Sequence, residues 1–265
     1  PPGQVAAERQ PELVLEPGKV YSWDFIFEVP HEAAPYERSK HGKLYQKLSA
    51  KLTLRGSGGL MGAGKKTLTS SKNAFFVALP ARDGALAYSF THRDAAEHLG
   101  PMLVTTRSQH LTVGGYIRTA LSLPSPRPDL IITQSSLTLA QKVTLHSRRR
   151  RGHKQACPVE MFPVLLSDGE DVVREETPIS PSDEAYDPNA RDGDAEKVHV
   201  SFEGSWINKL PTDDKVRPSS LPGSDSAIKL SHEFDFVLKY TFPGAKEVTG
   251  KDELVYRATW DVALQ

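Results

Sequence analysis

Polar and apolar residues alternate along several long stretches of this chain, and this alternation constrains its fold more than any other feature. The clearest examples are "IKLSHEFDFVLKYTF", "LTLAQKVTL", "ELVYRATWDVAL", "KLYQKLSAKLTLR" and "VYSWDFIFEV". In the last of these, Tyr21, Trp23, Phe25 and Phe27 fall on one face, so we expect them in a core. A period of two is typical of half-buried antiparallel strands, because successive side chains of a strand point to opposite faces.

Helical periodicity is almost absent from the sequence. Only "HRDAAEHLG", residues 92–100, predicts a helical turn, with Gly100 at its end and Pro101 beyond it. The 20 prolines and 19 glycines indicate many turns between short strands. Together these patterns predict an all-β protein built from antiparallel, immunoglobulin-like β-sandwiches.

Composition excludes several functional classes. The 265 residues contain 33 Lys or Arg and 33 Asp or Glu, whereas a dedicated nucleic-acid-binding domain is usually basic throughout. Cys157 is the single cysteine, which fits a reducing compartment. No apolar run approaches the length of about 18 residues that a membrane span requires. The chain begins "PPGQVAAERQ" without an initiator Met, so we expect it to be a piece of a longer protein.

A glycine-rich stretch, residues 56–72, partly matches a phosphate-binding loop. Gly59, Gly64 and Lys65 have the required spacing, but Lys66 occupies the position where Ser or Thr would hold magnesium. A strand, rather than the required helix, is predicted to follow. We therefore interpret this stretch as a flexible linker and predict no cofactor.

The sequence nominates neither a metal centre nor an active site. His146, His153 and Cys157 lie close together, but the neighbouring arginines would repel a cation. Cys157 is better explained as a small core residue at the start of a strand. The common hydrolase and metalloprotease motifs are absent, so we predict a non-catalytic protein without a metal.

One run of positive charge stands out from this balanced composition. Arg148, Arg149, Arg150 and Arg151 are consecutive, and His153 and Lys154 follow them. Guanidinium groups bind carboxylate and phosphate groups in bidentate fashion, so these six residues are the candidate anion-binding site. A solvated loop tip is the competing interpretation. The lack of interleaved aromatic residues disfavours nucleic acid, which leaves an acidic peptide, a phosphorylated tail or an anionic membrane surface.

An acidic segment, residues 167–196, follows the arginine run after one short strand. It contains eleven Asp or Glu, two Arg and three Pro, so we expect a solvated loop that could fold back and screen the arginines. Thr177 and Ser180 both precede proline and are candidate regulatory phosphorylation sites. Phosphorylation would strengthen such screening.

Several segments together resemble a known family. Residues 99–147, with "SQHLTVGG", "YIRTALSLP" and "LTLAQKVTL", look like the first half of the C-terminal arrestin domain of the fungal α-arrestins, the arrestin-related trafficking adaptors. "IKLSHEFDFVLKYTF" and "GKDELVYRATWDVAL" resemble the closing strands of that domain. Residues 15–54 resemble the second half of the N-terminal arrestin domain. The resemblance implies three parts: residues 1–62 as an incomplete N-terminal domain, residues 63–84 as a hinge, and residues 85–265 as a C-terminal domain.

The same resemblance implies a function. α-Arrestins are adaptors that recognise cytoplasmic tails of membrane proteins, such as transporters, and recruit WW-domain HECT ubiquitin ligases for ubiquitination and endocytosis. Residues Arg148–Arg151, His153 and Lys154 would then contact acidic or phosphorylated cargo. We would expect a cytoplasmic protein, peripheral at the plasma membrane, Golgi or endosomes.

The sequence departs from the family pattern in two ways. The opening strands of the N-terminal domain are missing, and "AAPYE", residues 33–37, has only one of the two prolines of a ligase-recruiting PPxY motif. Ligase recruitment therefore rests on the resemblance alone. The alternative is a peripheral, coat-like β-sandwich scaffold that binds anionic lipid without a ligase role.

Overall fold

The structure, a computed structural model, describes residues 14–16, 18–30, 32–55, 65–77, 87–147, 149–150, 152–178 and 198–264. By internal contacts the chain divides into two units, Pro1–His31 and Glu32–Gln265.

The described elements are antiparallel strands, one short helix and one 3-10 turn. In chain order they are β1 (Glu37–Ser39), β2 (Gly42–Leu44), β3 (Gln46–Arg55), β4 (Lys65–Ala74), β5 (Tyr88–Ala96), β6 (Gly100–Ser108), β7 (Tyr116–Leu123), β8 (Ile131–His146), β9 (Lys154–Ala156), β10 (Glu160–Asp168), the 3-10 turn Gly169–Asp171, β11 (Val173–Pro178), β12 (Val198–Lys209), β13 (Ile228–Thr241), α1 (Ala245–Thr249) and β14 (Leu254–Val262).

Two five-stranded antiparallel sheets form a sandwich in the second unit. Sheet I has the strand order β11-β12-β7-β6-β5, and sheet II has the order β10-β8-β13-β14 with β9 also paired to β8. The chain crosses between the sheets after β7, β10 and β12, as in immunoglobulin-like sandwiches. This arrangement confirms the all-β prediction, while the arrestin-like assignment and the domain boundaries stay predictions.

The core of the sandwich follows the alternation seen in the sequence. Both sheets turn their apolar faces inward, and each large side chain buried there contributes about 1.5–3 kcal/mol. Fully buried side chains from both sheets are Met102, Leu121, Leu137, Leu139, Phe234, Phe236 and Leu238.

One edge of the sandwich is closed by side chains that link β5 to β14. The indole of Trp260 stacks on Phe90 with ring centroids 5.3 Å apart, and its N–H donates to the hydroxyl of Tyr88 at 3.0 Å. His92 and the hydroxyl of Tyr256 are hydrogen-bonded at 2.8 Å. These contacts fix the two edge strands against each other where no backbone ladder joins them.

Strands β8 and β13 are longer than their neighbours and extend beyond this core. Their extra length carries a second apolar cluster of Val143, Ile228 and Leu230, against which Leu145 and Cys157 are partly buried. The β1–β2 hairpin covers this extension, with Gly42 lying against Ile228. Cys157 was predicted as a core residue at the start of a strand, but it is only partly buried and lies between β9 and β10.

The predicted core strand around Trp23 is wrong. Residues 18–30 form no strand, and Trp23, Phe25 and Phe27 are 55–68% exposed. Tyr21 stacks on Trp23, and Phe25 meets Phe27 edge to face. An alternating segment becomes a strand only where a neighbouring strand completes its backbone hydrogen bonds. The described residues of the first unit contain no strand that could do so.

Two further local predictions are wrong. Residues 65–74, expected in the linker, form strand β4 and pair with β3 in register Leu52↔Leu68. The expected helical turn at residues 92–100 is the end of β5 and a tight turn in which His98 has φ 69°. The one α-helix of the described residues is α1, Ala245–Thr249, which the sequence pattern did not predict. The phosphate-binding match at Gly59 and Gly64 lies outside the described residues.

Gly204 on β12 should tolerate no side chain. A Cβ at this position would overlap the ring of Trp206, whose N–H donates to Ser167 on sheet II at 3.2 Å. We expect Gly204→Ala to lower the free energy of unfolding by about 1–3 kcal/mol, because the indole must move. Urea unfolding measures this loss. Adding Trp206→Leu should make the combined loss smaller than the sum of the two single losses, and strict additivity would contradict the overlap.

Candidate functional site

The arginine run lies in the turn between β8 and β9. Strand β8 ends at His146, which pairs with Lys154 at the start of β9. Inside the turn, Ser147 N–H donates to His153 O, and Arg150 N–H donates to Ser147 Oγ, both at 3.1 Å. Gly152 adopts φ 83°, a conformation that favours glycine and closes the turn.

The described members of the predicted site are all exposed. Arg149, Arg150, His153 and Lys154 face solvent, and the ion pairs found in the described part of the chain include none of them. Arg148 and Arg151 lie outside the described residues. The structure thus brings the four described residues together at one tip, where an external anion can reach them.

A groove of about 490 Å³ opens at the same end of sheet II. Gln141 and Val143 on β8 line it, and Val143 is only three residues before the end of that strand. Its walls are the β1–β2 hairpin and the segment 213–217. The charged lining residues are Arg38, Lys40, Lys43, Glu160, Asp213, Asp214, Lys215 and Arg217.

Part of this charge is neutralised within the groove. Lys40 pairs with Glu160, and Arg217 pairs with Asp213. The ammonium of Lys40 lowers the pKa of Glu160, and the amide of Gln141, 2.9 Å from the carboxylate, acts in the same direction.

Three cations of the groove remain outside these pairs. Among the described residues, the ion pairs do not include Arg38, Lys43 or Lys215. The groove therefore keeps an excess of positive charge beside the arginine turn.

A chain of neutral polar groups supports the floor of the groove. The carbonyl oxygen of Gln141 accepts from the backbone N–H of Arg217 at 2.9 Å and lies 3.3 Å from Nε2 of His232. Nδ1 of His232 lies 2.8 Å from Ser219 Oγ, which also accepts from the backbone N–H of Leu264. Burial lowers the pKa of His232 to about 4, so the imidazole is neutral at pH 7. The Ser219–His232 pair resembles a nucleophile with its base, but here it ties three chain segments together.

A buried carboxylate anchors the β1–β2 hairpin. Glu37 is 7% exposed and accepts from the hydroxyls of Ser226 at 2.7 Å and Ser220 at 3.1 Å. Burial raises the pKa of Glu37, against the opposing effect of the two hydroxyls. The same hydroxyl oxygens accept from the backbone N–H groups of Ile228 and Leu230 on β13, so the hairpin is held on the sheet through Glu37.

The two ends of the sandwich differ in their balance of charge, although each also carries residues of the opposite sign. Glu37, Glu160, Asp213 and Asp214 lie among the cations of one end, and Arg127, Arg174 and Lys246 lie among the carboxylates of the other. We call the end where β8 finishes at His146 the basic end, and the end where β8 starts at Ile131 the acidic end. Cations at the basic end are Arg38, Lys40, Lys43, Arg149, Arg150, Lys154, Lys209, Lys215, Arg217 and Lys229. Carboxylates at the acidic end include Glu97, Asp129, Asp168, Glu170, Asp171, Glu175, Glu176, Asp252 and Glu253.

The acidic segment 167–196 is only partly the loop that we expected. Its first residues complete β10, form the 3-10 turn and then form β11, which pairs with β12 from Val173↔Glu203 to Pro178↔Val198. Thr177 is exposed on β11 at the acidic end. Ser180 lies outside the described residues.

The part of this segment that the structure describes lies at the end of β8 opposite to the arginine turn, so it does not screen the arginines. The rest of the segment lies outside the described residues, and screening by it stays a prediction.

A scan against protein-family models finds no match, and a search of curated proteins likewise gives no similar sequence. In the described part of the chain, no helix is long and apolar enough to cross a membrane. The same residues contain no group of three or more His, Cys, Asp or Glu side chains placed to hold a metal ion.

The groove could not be found from the sequence. It joins residues 38–43 to residues 213–217, and neither segment alone carries a motif. The balanced totals of acidic and basic residues also hid the charge segregation. One local signal of the groove is present in the sequence. Gln141 interrupts the otherwise apolar face of β8, and it marks the point where the floor of the groove becomes polar.

Acid should destabilise the protein through His232. Between pH 6.5 and 4 the unfolded chain binds a proton that the buried imidazole does not, so stability falls by about 3 kcal/mol as the pH is lowered. His232→Asn keeps a polar group facing Ser219 but cannot titrate. We expect the variant to be less stable at pH 7 yet to show a flatter pH dependence across this range in urea unfolding. Parallel curves for both proteins would contradict the role given to His232.

Glu37 should make stability depend on pH in the direction opposite to His232. Because its pKa is raised in the folded state, its contribution to stability is full below pH 4.5 and is lost as the pH rises. Glu37→Gln removes the buried charge and keeps hydrogen bonds to Ser220 and Ser226. We expect its Tm to exceed that of the wild type at pH 7, with the difference shrinking towards pH 4.5. A lower Tm at pH 7 would show that the charge itself stabilises the hairpin.

Proposed function

We propose that this protein is a non-catalytic trafficking adaptor that recognises acidic or phosphorylated determinants on the cytoplasmic tails of membrane cargo, such as transporters. The observation that carries the proposal is the exposed arginine turn at the basic end, where the described cations Arg149, Arg150 and Lys154 have no internal carboxylate partner. The described part of the acidic segment lies at the opposite end of β8. The exposed cations are therefore accessible to an external anion.

Binding at the turn would be electrostatic and specific for oxyanions. A guanidinium fork donates two parallel hydrogen bonds to a carboxylate or phosphate, each contributing about 1.5–3 kcal/mol when partly desolvated. The groove lined by Arg38, Lys43 and Lys215 offers a second set of donors at the same end. An extended tail could therefore contact both, and its association would weaken as salt rises.

The link to a HECT ubiquitin ligase rests on the resemblance to α-arrestins. Such ligases bind PPxY motifs through their WW domains, and the segment 33–37 provides only part of one. The described residues of that segment lead into β1, and Ala34 is buried. We therefore expect recruitment of the ligase to use a motif outside this chain.

Replacement of the arginines tests the proposal directly. In Arg148–Arg151→Ala, affinity for acidic and phosphorylated tail peptides should fall at least about tenfold, because the bidentate contacts are lost. A matched control removes four exposed lysines from the β3–β4 hairpin, Lys47, Lys51, Lys66 and Lys72→Ala, with the same change in net charge. Fluorescence anisotropy over a salt series measures both. Equal losses in the two variants would reduce the effect to net charge and contradict a site at the turn.

The charge segregation favours one alternative, a peripheral scaffold that binds anionic lipid. Basic residues near a negatively charged bilayer contribute about 1 kcal/mol each, and here they share one end. Sedimentation with vesicles containing phosphatidylserine distinguishes the two functions. Vesicle binding without any sequence-selective peptide binding would favour the scaffold.

A further inference from the structure

A second cationic cluster lies on the outer face of sheet I. Arg107 on β6 and Arg118 on β7 are directly opposite each other in the register, and Lys209 pairs with Tyr116 two residues along. Like charges in directly opposite positions destabilise a sheet. An anion bound between the two side chains would relieve this repulsion.

The protein itself provides little compensation for these charges. In the described part of the chain, the ion pairs include neither arginine nor Lys209. Arg118 donates through Nε to Ser205 Oγ at 3.0 Å, which fixes the guanidinium but does not neutralise it. Glu203, the carboxylate that β12 carries, accepts from the hydroxyl of Ser122 instead.

Apolar side chains flank the cluster. Tyr116 is 63% exposed and Ile207 is 71% exposed, and Ile207 pairs with Arg118 across the strands. Both belong to a cleft of about 620 Å³ that Arg107, Arg118, Ser108 and His110 also line. This volume lies in the range of sites that accept small ligands or a few residues of a peptide.

We propose that this cleft binds a short peptide segment in which a carboxylate side chain stands next to an apolar side chain. The arginines would bind the carboxylate, while Tyr116 and Ile207 would cover the apolar group. A free inositol phosphate would leave the two apolar side chains without a partner. A bilayer is equally ill suited, because a concave cleft does not match a flat surface.

The inference is independent of the arginine turn, although both sites suit an acidic tail. The cleft lies on sheet I, and the turn extends from sheet II. An assay with both sets of variants therefore separates failure of one proposal from failure of the other.

The probe is a labelled peptide with one leucine between pairs of aspartates, compared with forms carrying Ser for Leu or Asn for Asp. We expect wild-type protein to bind the parent peptide at least about tenfold more tightly than Arg107→Gln/Arg118→Gln does. Tyr116→Ala/Ile207→Ser should lose the preference for Leu over Ser. The matched control, Arg93→Gln/Arg174→Gln, removes two exposed arginines from the same sheet and should bind like the wild type.

Thermal unfolding gives a second readout that does not depend on the peptide. At low salt the free Arg107→Gln/Arg118→Gln protein should have a higher Tm than the wild type, because the repulsion is gone. A lower Tm would show that the arginines stabilise the fold and would overturn the proposal. So would the absence of peptide binding to wild type, unchanged binding in the arginine variant, or equal binding of inositol hexakisphosphate and the leucine peptide.

Discussion

The antiparallel pairing of β8 with β13 is the interaction on which the rest of the structure depends. It continues from Ile228↔Leu145 to Thr241↔Ile131 and is longer than any ladder of sheet I. A shift of one residue would turn the buried phenylalanines of β13 towards solvent, so burial fixes the register. The same register places His232 opposite Gln141, and thereby places a polar floor next to an apolar core.

This pairing also explains why a chain without net charge has a basic end. In an antiparallel pair, the end of one strand lies beside the start of its partner. The β8–β9 turn, which follows the end of β8, therefore lies next to the segment that leads into β13. The β1–β2 hairpin, docked through Glu37, adds further cations there. The acidic β11–β12 hairpin leaves from the opposite end for the same topological reason. The total numbers of acidic and basic residues in the sequence cover both ends, so they do not show how charge is distributed between them.

The sequence was sufficient for the fold class and for the exposed arginine turn, because both depend on local patterns. Strand alternation was reliable where a partner strand exists, as in β13, and failed around Trp23, where the described unit offers none. The linker prediction failed at β4 because small polar residues can pair in a hairpin when β3 provides the partner. The groove and the Arg107–Arg118 pair are products of register between distant segments, which composition and periodicity do not encode.

The basic end combines several features that cost stability. Cations crowd one surface, and Glu37 is buried beneath it with a raised pKa. Apolar replacements of similar size would serve a purely structural role better. Natural sequences depart from such local rules mainly at functional sites, where binding of a ligand offsets the cost. These departures occur together at one end, which is the pattern expected of the surface that we propose for an anionic partner.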